Sequence, residues 1–330
     1  MDSSSQSQSQ ELLFDFPPFL RQYKDGRVER LKGTDTVPPS TDPSSAGGVA
    51  SKDVLISPQS GLSARLYLPK SKSKSSQPTK LPLLVYYHGG GFVIESAFSP
   101  TYHAFLNALV AQANVVAVSV DYRLAPEHPL PIAYHDSWAA LQWAGSHSTG
   151  RGPEPWLNDH VDFDRVYLAG DSAGANIVHN MCTRAAAAAA AADGALKIAG
   201  SVLIHPYFWG SERVGSEMED PESRAAIERT WKFACPGSAG CDDPLINPAK
   251  DPNLRGLGLG CGRVLVCVAE KDIFRERGRL YFEALGGCGW NGVVEFLETQ
   301  DEGHVFHLFN PDSDKAKEFI KEVGLFLNRH

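Results

Sequence analysis

The sequence predicts a mainly parallel β-sheet covered by helices on both faces, an α/β architecture, and two observations predict it. Six short runs, Leu83–Tyr87, Val115–Val120, Val166–Ala169, Ser201–Ile204, Val264–Ala269 and Val293–Leu297, are rich in β-branched and aromatic residues. Apart from Glu295 they hold no charge, as strands buried on both faces require. Helix-compatible segments lie between them, at Tyr102–Ala113, Ile132–Trp143, Ala173–Ala192 and Glu276–Leu285. That alternation is the pattern of parallel strands joined by crossover helices. A length of 330 residues suits one large domain of this kind.

Taken in order, the first ten residues are Ser/Gln-rich and predict a disordered tail. Phe14–Leu20, with Pro17 and Pro18, is apolar and is expected to dock on the rest of the chain. Thr34–Gly48 reads as loop. Asp53–Ile56 and Ala64–Leu68 predict two strands around a turn at Ser57–Gly61, and Ser71–Lys80 a polar surface loop. The alanine tract Ala185–Ala192 extends the helix that follows Ser172, and Asp193–Gly194 ends it. Tyr207–Gly260, between two sheet strands, is too long for a plain loop and has helical character over Glu222–Phe233. It reads as a lid inserted into the sheet domain. Lys315–Leu327 closes the chain as a helix, with Phe319, Ile320, Val323 and Leu327 at helical spacing. The expected organisation is a single domain over 1–330, a tail over 1–10, and a cap from about 11–35 and about 207–257.

Gly170-Asp171-Ser172-Ala173-Gly174 matches G-x-S-x-G. As a bare pattern this is weak, but here it directly follows a strand and directly precedes a helix. Glycines on both sides permit the tight turn that exposes a nucleophilic Oγ. His88-Gly89-Gly90-Gly91-Phe92 follows the strand Leu83–Tyr87, and its glycines let successive backbone N–H groups face one point. Acyl transfer needs such donors for the oxyanion, and Gly90, Gly91 and Ala173 are assigned that role. A phosphate loop is the rival, but no G-x-x-x-x-G-K-[ST] is present. His88 is read as bracing the loop.

In the order Ser…Asp/Glu…His, the base must come late. His304 lies behind Gly303, just past the strand Val293–Leu297, with His307 the near rival. The orienting acid should follow Val264–Ala269, where Asp272 reaches farther into the loop than Glu270. In Asp121–Glu127, Arg123 is expected to pair with a carboxylate such as Glu127. Phe92, Tyr207, Phe208, Trp209 and Trp231 are candidate pocket walls, with core packing as the alternative. Such chemistry needs no cofactor or metal, and no HExxH spacing occurs.

The formal charge of −8, with acidic and basic residues interspersed, disfavours nucleic acid and anionic membrane surfaces as partners. A small-molecule substrate is expected. The N-terminus has neither a basic nor an apolar signal region, so a cytoplasmic location is expected, with a nuclear one alongside it. Six cysteines without CxxC pairs read as reduced thiols.

The set His88–Phe92, Asp121–Glu127, Gly170–Asn176 and Gly303–Phe306 resembles the plant carboxylesterase family, in the hormone-sensitive-lipase-like branch of the α/β hydrolases. Phe16-Pro17-Pro18-Phe19 and Tyr23–Val28 are similar to the opening of those proteins, so the resemblance spans nearly the whole chain. It implies the α/β-hydrolase fold, an eight-stranded sheet with a helical cap, and cofactor-free hydrolysis of short acyl esters. The family also includes gibberellin receptors, which lack the catalytic histidine, and dehydratases and cyclases, some with threonine as nucleophile. Ser172, Asp272 and His304 are all present here. The resemblance therefore implies a serine carboxylesterase, with a dehydratase or cyclase such as a 2-hydroxyisoflavanone dehydratase as the alternative and a hormone receptor less favoured.

Overall fold

The structure is a computed structural model that describes residues 11–42, 47–70, 80–191, 196–256 and 258–329. The expected tail over 1–10, all but the end of the Ser71–Lys80 loop and the helix stop at Asp193–Gly194 lie outside the described residues. In chain order, the strands are β1 (Leu12–Phe16), β2 (Leu20–Tyr23), β3 (Val28–Arg30), β4 (Val49–Ser57), β5 (Leu62–Pro69), β6 (Leu81–Tyr87), β7 (Val116–Asp121), β8 (Val161–Asp171), β9 (Gly200–Ile204), β10 (Arg263–Ala269) and β11 (Val293–Thr299). The helices are α1 (Pro100–Ala113), α2 (Ile132–Gly145), α3 (Pro155–His160), α4 (Ala173–Ala190), α5 (Pro221–Ala234), α6 (Pro252–Gly256), α7 (Arg275–Gly287), α8 (Phe306–Phe309) and α9 (Asp314–Leu327).

Strands β4 to β11 form one sheet in the order β11-β10-β9-β8-β6-β7-β5-β4. Only β5 runs against its neighbours, pairing antiparallel with β4 and β7. The other pairs are parallel. The two-residue alternation of a strand splits β6 between two cores. Leu83, Val85 and Tyr87 enter one with Ala173, Ile177 and Val178 of α4. Leu84 and Tyr86 enter the other with Phe105 and Leu109 of α1 and Phe319 and Val323 of α9. All five of these β6 residues are fully buried. Each apolar side chain so placed contributes roughly 1.5–3 kcal/mol, which is why a charge in these runs would be intolerable.

The N-terminal segment differs from expectation. Residues 12–30 are a three-stranded antiparallel sheet, β1-β2-β3, where the resemblance implied helical cap material. Leu12, Phe14 and Phe16 alternate at the strand period, and the Phe14 ring stacks on Phe233 of α5 at 4.2 Å. Arg30, at the end of β3, ties this small sheet to the main domain. Its Nε donates to the Val93 carbonyl (2.7 Å) and its Nη2 to that of Ala125 (3.1 Å), while both Nη atoms bond the Glu127 carboxylate at 2.7–2.8 Å. Glu127 is thereby taken, and the expected Arg123–Glu127 pair does not form. Arg123 instead grips buried Asp136 of α2 through Nε and Nη2 at 2.8 and 2.7 Å. The helical repeat brings Asp136 back under the loop, a contact invisible to a search of neighbouring residues.

The segment after β9 is fixed at its root by a buried carboxylate. Glu217 accepts from Arg277 of α7, whose Nη2 lies 3.0 Å away, and from Arg224 of α5 at 3.2 Å. Both guanidinium groups also lie over the Trp209 ring. Glu217 is fully buried at its side chain, so removing either arginine would strand a charge.

Arg30→Ala should speed amide exchange across β1–β3 by about tenfold or more while leaving β6 and β8 unchanged, since only the small sheet depends on this clamp. Hydrogen–deuterium exchange mass spectrometry reads both regions. Equal exchange in variant and wild type would show that the aromatic packing of Phe14 holds the segment alone.

Candidate active site

Four strand ends of the main sheet converge on one point. Ser172 follows β8 in a left-handed conformation, φ 51°, which a residue with a Cβ adopts only under constraint. The constraint is close packing of α4 against β6. A Cβ on Gly174 would overlap the Tyr87 carbonyl oxygen, and one on Gly170 would lie 2.7 Å from the same atom. Both glycines of the motif are thus required by the approach of two backbones. The Ser172 N–H is held by the Ile204 carbonyl at 2.9 Å.

Beside it, the loop after β6 turns through Gly90 (φ 97°) and Gly91 (φ 62°). The Gly90 carbonyl accepts from the N–H groups of Val93 and Ile94 at 3.0 and 3.1 Å, and a Cβ there would strike Ile94. Among the described residues no internal acceptor takes the N–H of Gly90 or Gly91. The loop is braced from behind. Tyr122 Oη donates to the His88 carbonyl at 2.7 Å, and its ring stacks on the His88 imidazole at 4.2 Å. His88 Nδ1 donates to the Gly89 carbonyl at 2.8 Å, and burial pushes its pKa down to about 4, so it stays neutral. Tyr102 Oη accepts the Gly89 N–H at 2.8 Å and donates to Asp171 at 2.9 Å.

His304 Nε2 lies 3.0 Å from Ser172 Oγ, and His304 Nδ1 lies 2.9 Å from Asp272 Oδ2. The carboxylate can only accept, so the neutral imidazole carries its proton on Nδ1 and turns the Nε2 lone pair to the serine hydroxyl. Burial pushes the His304 pKa down. The Asp272 charge and hydrogen bond, with Asp171 behind them, outweigh that and hold it above its ordinary value. Burial likewise opposes ionisation of Asp272, yet His304, His205 and the Phe274 N–H (2.9 Å) keep its carboxyl below the usual range. Such a chain can draw a proton from Oγ and hold it.

Glu270 and His307 fall elsewhere. Glu270 is exposed and accepts the Asp301 N–H at 2.7 Å, bracing the turn that leads to His304. His307 is buried in the second core between Phe105 and Phe319. His205, which follows β9 and stands on the wrong side of the order Ser…Asp/Glu…His to be the base, nevertheless reaches the site. Its Nδ1 accepts the Val305 N–H at 2.7 Å and lies 3.6 Å from Asp272 Oδ2. Burial lowers its pKa to about 4, so the ring is neutral with its proton on Nε2. The signal for it was present: it ends a strand next to the one that carries the nucleophile. His205, Asp272 and His304 place ligand atoms within 4.8 Å of one another, a geometry compatible with a metal ion. Both His205 Nδ1 and His304 Nδ1 are, however, engaged in the bonds just described.

Ser172 and His304 open into a cavity of about 600 Å³. Its walls come from β1–β2 and their turn (Phe16, Phe19), the loop after β6 (Val93, Ile94, Glu95), the segment containing α5 (Met218, Ile227, Thr230) and the loops after β10 and β11 (Phe274, Leu308, Phe309). Of the expected wall aromatics, Tyr207 lines the cavity. Phe92, Phe208, Trp209 and Trp231 lie behind it, each at most 1 % exposed. Phe92 and Trp231 back Tyr207, Phe208 packs on His179 and Tyr281, and Trp209 is held between two arginines.

A sheet of this order with a serine at the β8–α4 turn defines an α/β hydrolase, and the α/β hydrolase fold family matches residues 84–308. Within that class, the chain belongs to the plant carboxylesterase family. It is 51 % identical over 324 residues to "Probable carboxylesterase 13" of Arabidopsis thaliana, covering 96 % of this chain and 98 % of that one. It is 46 % identical to a 2-hydroxyisoflavanone dehydratase of Glycyrrhiza echinata, covering 98 % and 99 %. Among solved structures, the esterase LipW from Mycobacterium marinum superposes with a TM-score of 0.67 at 29 % identity, over 86 % of this chain and 82 % of that one.

His205→Leu should lower kcat by about tenfold or more with little change in KM, because the buried Val305 N–H loses its acceptor and the His304 loop shifts. His205→Asn, whose Oδ1 can occupy the place of Nδ1, should recover most of the loss. Steady-state kinetics on the three proteins decide it: two variants equally impaired would assign His205 to packing alone.

Proposed function

We propose that the protein is a serine carboxylesterase that hydrolyses small carboxylic esters through an acyl-enzyme. The observation that carries this reading is the chain Ser172–His304–Asp272, hydrogen-bonded end to end at the wall of an apolar cavity. In the reaction, Ser172 Oγ attacks the ester carbonyl as its proton passes to His304 Nε2. The N–H groups of Gly90, Gly91 and Ala173 hold the oxyanion, aided by the N-terminus of α4. His304 then gives its proton to the leaving alkoxide. Water, deprotonated by the same nitrogen, attacks the acyl-enzyme and frees the acid. Asp272 stabilises the imidazolium in both halves and fixes the tautomer.

In this reading β1–β3 and the segment 207–257 form the cap. Phe16, Phe19, Met218 and Ile227 close the cavity over the serine and exclude water. A volume of about 600 Å³ suits short to medium acyl esters. The proposal places the enzyme in the cytoplasm, acting on small molecules, which fractionation of source tissue tests. That one relative is named a dehydratase motivates the alternative of a lyase reaction on the same scaffold. An acyl-enzyme separates the two, because elimination does not form one.

A p-nitrophenyl ester panel from acetate to octanoate should show turnover that declines at the long end. A fluorophosphonate probe should label Ser172 and spare Ser172→Ala. His304→Ala should lower kcat by roughly 10³ or more, and Asp272→Asn should cost far more than Glu270→Gln. No turnover of any short ester by folded protein would reject the esterase reading.

Only neutral His304 accepts the serine proton, so kcat/KM should fall as pH drops through an inflection above the ordinary histidine value. In Asp272→Asn that inflection should move down, since the carboxylate that raises it is gone. Gly91→Val, strained by the φ of 62° at that position, should lower kcat by about 10² with Ser172 still labelled by the probe. A variant that hydrolyses esters at the wild-type rate would remove the loop from the mechanism.

A further inference from the structure

Resting on the esterase reading, we infer that Glu95 is a specificity determinant that selects esters bearing a hydroxyl or other hydrogen-bond donor and disfavours anionic ones. Beside Ser172, His304 and the hydroxyls of Thr101, Ser223 and Thr230, the cavity is lined mainly by aromatic and aliphatic side chains, and among the described residues Glu95 and Asp171 are its carboxylates. Among the described residues the Glu95 carboxylate makes no hydrogen bond and no ion pair. Asp171, the other carboxylate at the wall, is already capped by the hydroxyls of Tyr86 and Tyr102 at 2.7 and 2.9 Å. The carboxylate at the cavity without a hydrogen-bond donor is therefore Glu95, and among the described residues no lysine or arginine lines the cavity to offset its charge.

The backbone holds this carboxylate in place. Glu95 has φ 71°, an uncommon conformation for a glutamate. The chain is pinned just before it, where the Ile94 N–H bonds the Gly90 carbonyl at 3.1 Å. It is pinned again just after, where the N–H groups of Ser96 and Ala97 bond Ser99 Oγ and Asp121 Oδ1 at 3.1 and 3.0 Å. From the other side Gly33 (φ 71°) packs down so closely that a Cβ on it would lie 2.7 Å from Glu95 N and 3.0 Å from Glu95 Oε1. The segment after β3 thus backs the carboxylate without giving it a donor. A carboxylate in an apolar wall regains hydration energy when a bound ester supplies an O–H, and repels a substrate carboxylate. An aliphatic ester of the same size offers it nothing. The favoured ester is therefore one with a hydrogen-bond donor placed to meet Glu95 in the cavity.

The test compares matched esters, so that general changes in activity cancel. On the alcohol side the probes are n-propyl, 2-hydroxyethyl and carboxymethyl butyrate. On the acyl side they are p-nitrophenyl butyrate and p-nitrophenyl 3-hydroxybutyrate. In wild type, the kcat/KM ratio of hydroxylated to plain ester should reach about tenfold on at least one side, the yield of one charge-assisted hydrogen bond, and carboxymethyl butyrate should be the poorest substrate. In Glu95→Leu the ratio should fall to about one. In Glu95→Gln, carboxymethyl butyrate should gain about tenfold relative to n-propyl butyrate. A wild-type ratio near one on both sides, or ratios that survive in Glu95→Leu, would overturn the assignment while leaving the esterase reading intact. Wild-type protein that turns over neither p-nitrophenyl butyrate nor n-propyl butyrate rejects the esterase reading, and this inference with it.

Discussion

The site is organised around a carboxylate that takes no direct part in the proposed chemistry. Asp171, fully enclosed beside Ser172, accepts from Tyr86 Oη on the central strand and from Tyr102 Oη on α1. Tyr102 in turn accepts the N–H of Gly89, so the serine turn and the glycine loop are joined through a single side chain. Burial raises the Asp171 pKa to about 6, and the two phenol bonds act against that rise. Losing either phenol would leave a buried carboxylate short of a donor, at a cost of one to several kcal/mol. The glycine loop proposed to hold the oxyanion is thus tied in place by a buried charge that needs its donors, and preorganisation of this sort is what electrostatic catalysis requires.

The same charge acts at longer range. Asp171 and Asp272 both favour the protonated form of His304, while His205 and His88 are kept neutral by burial at a pKa of about 4. Of these rings, His304 is the one whose cationic form the surroundings support. Selectivity of this kind does not come from the imidazole, which is chemically identical in each. It comes from which carboxylates the strand ends present, and from Val305 N–H occupying the His205 nitrogen that would otherwise compete for Asp272.

Much of this was legible in the sequence because it follows from short-range pattern. Strands buried on both faces leave uncharged runs, from which most of the main sheet was readable, and the turn at Ser57–Gly61 marked the remaining pair, β4 and β5. The serine turn and the glycine loop announce themselves because close backbone approach excludes a Cβ. What was not legible depends on elements distant in sequence. Of the aromatic residues read as cavity wall or core, all but Tyr207 lie in the core, where large rings such as Phe208 and Trp209 gain most from burial. The actual walls include Val93, Ile94, Ile227 and Phe274, ordinary residues on three separate segments that no local pattern distinguishes from core. Pro17-Pro18 masked the strand alternation on either side of it. Asp136 was hidden from Arg123 by thirteen residues of chain.

These two sets of residues also differ in how they are supported. Ser172 and Asp272 follow β8 and β10, strands whose ends are buried on both faces, and His304, beyond the edge strand β11, is held to them by its bonds to Asp272 and Ser172. Part of the cavity wall, Phe16, Phe19, Met218, Ile227 and Thr230, sits on the small sheet and the inserted segment, whose supports include the Arg30 clamp, the Phe14–Phe233 stack between them and the Glu217 cluster. A wall residue can change without disturbing the sheet, whereas a strand-end residue cannot. Full-length similarity can thus join a protein named a carboxylesterase and one named a dehydratase at nearly the same identity to this chain, 51 % and 46 %. Glu95, a carboxylate without a hydrogen-bonded partner among the described residues, is where this cavity departs most plainly from a generic apolar pocket.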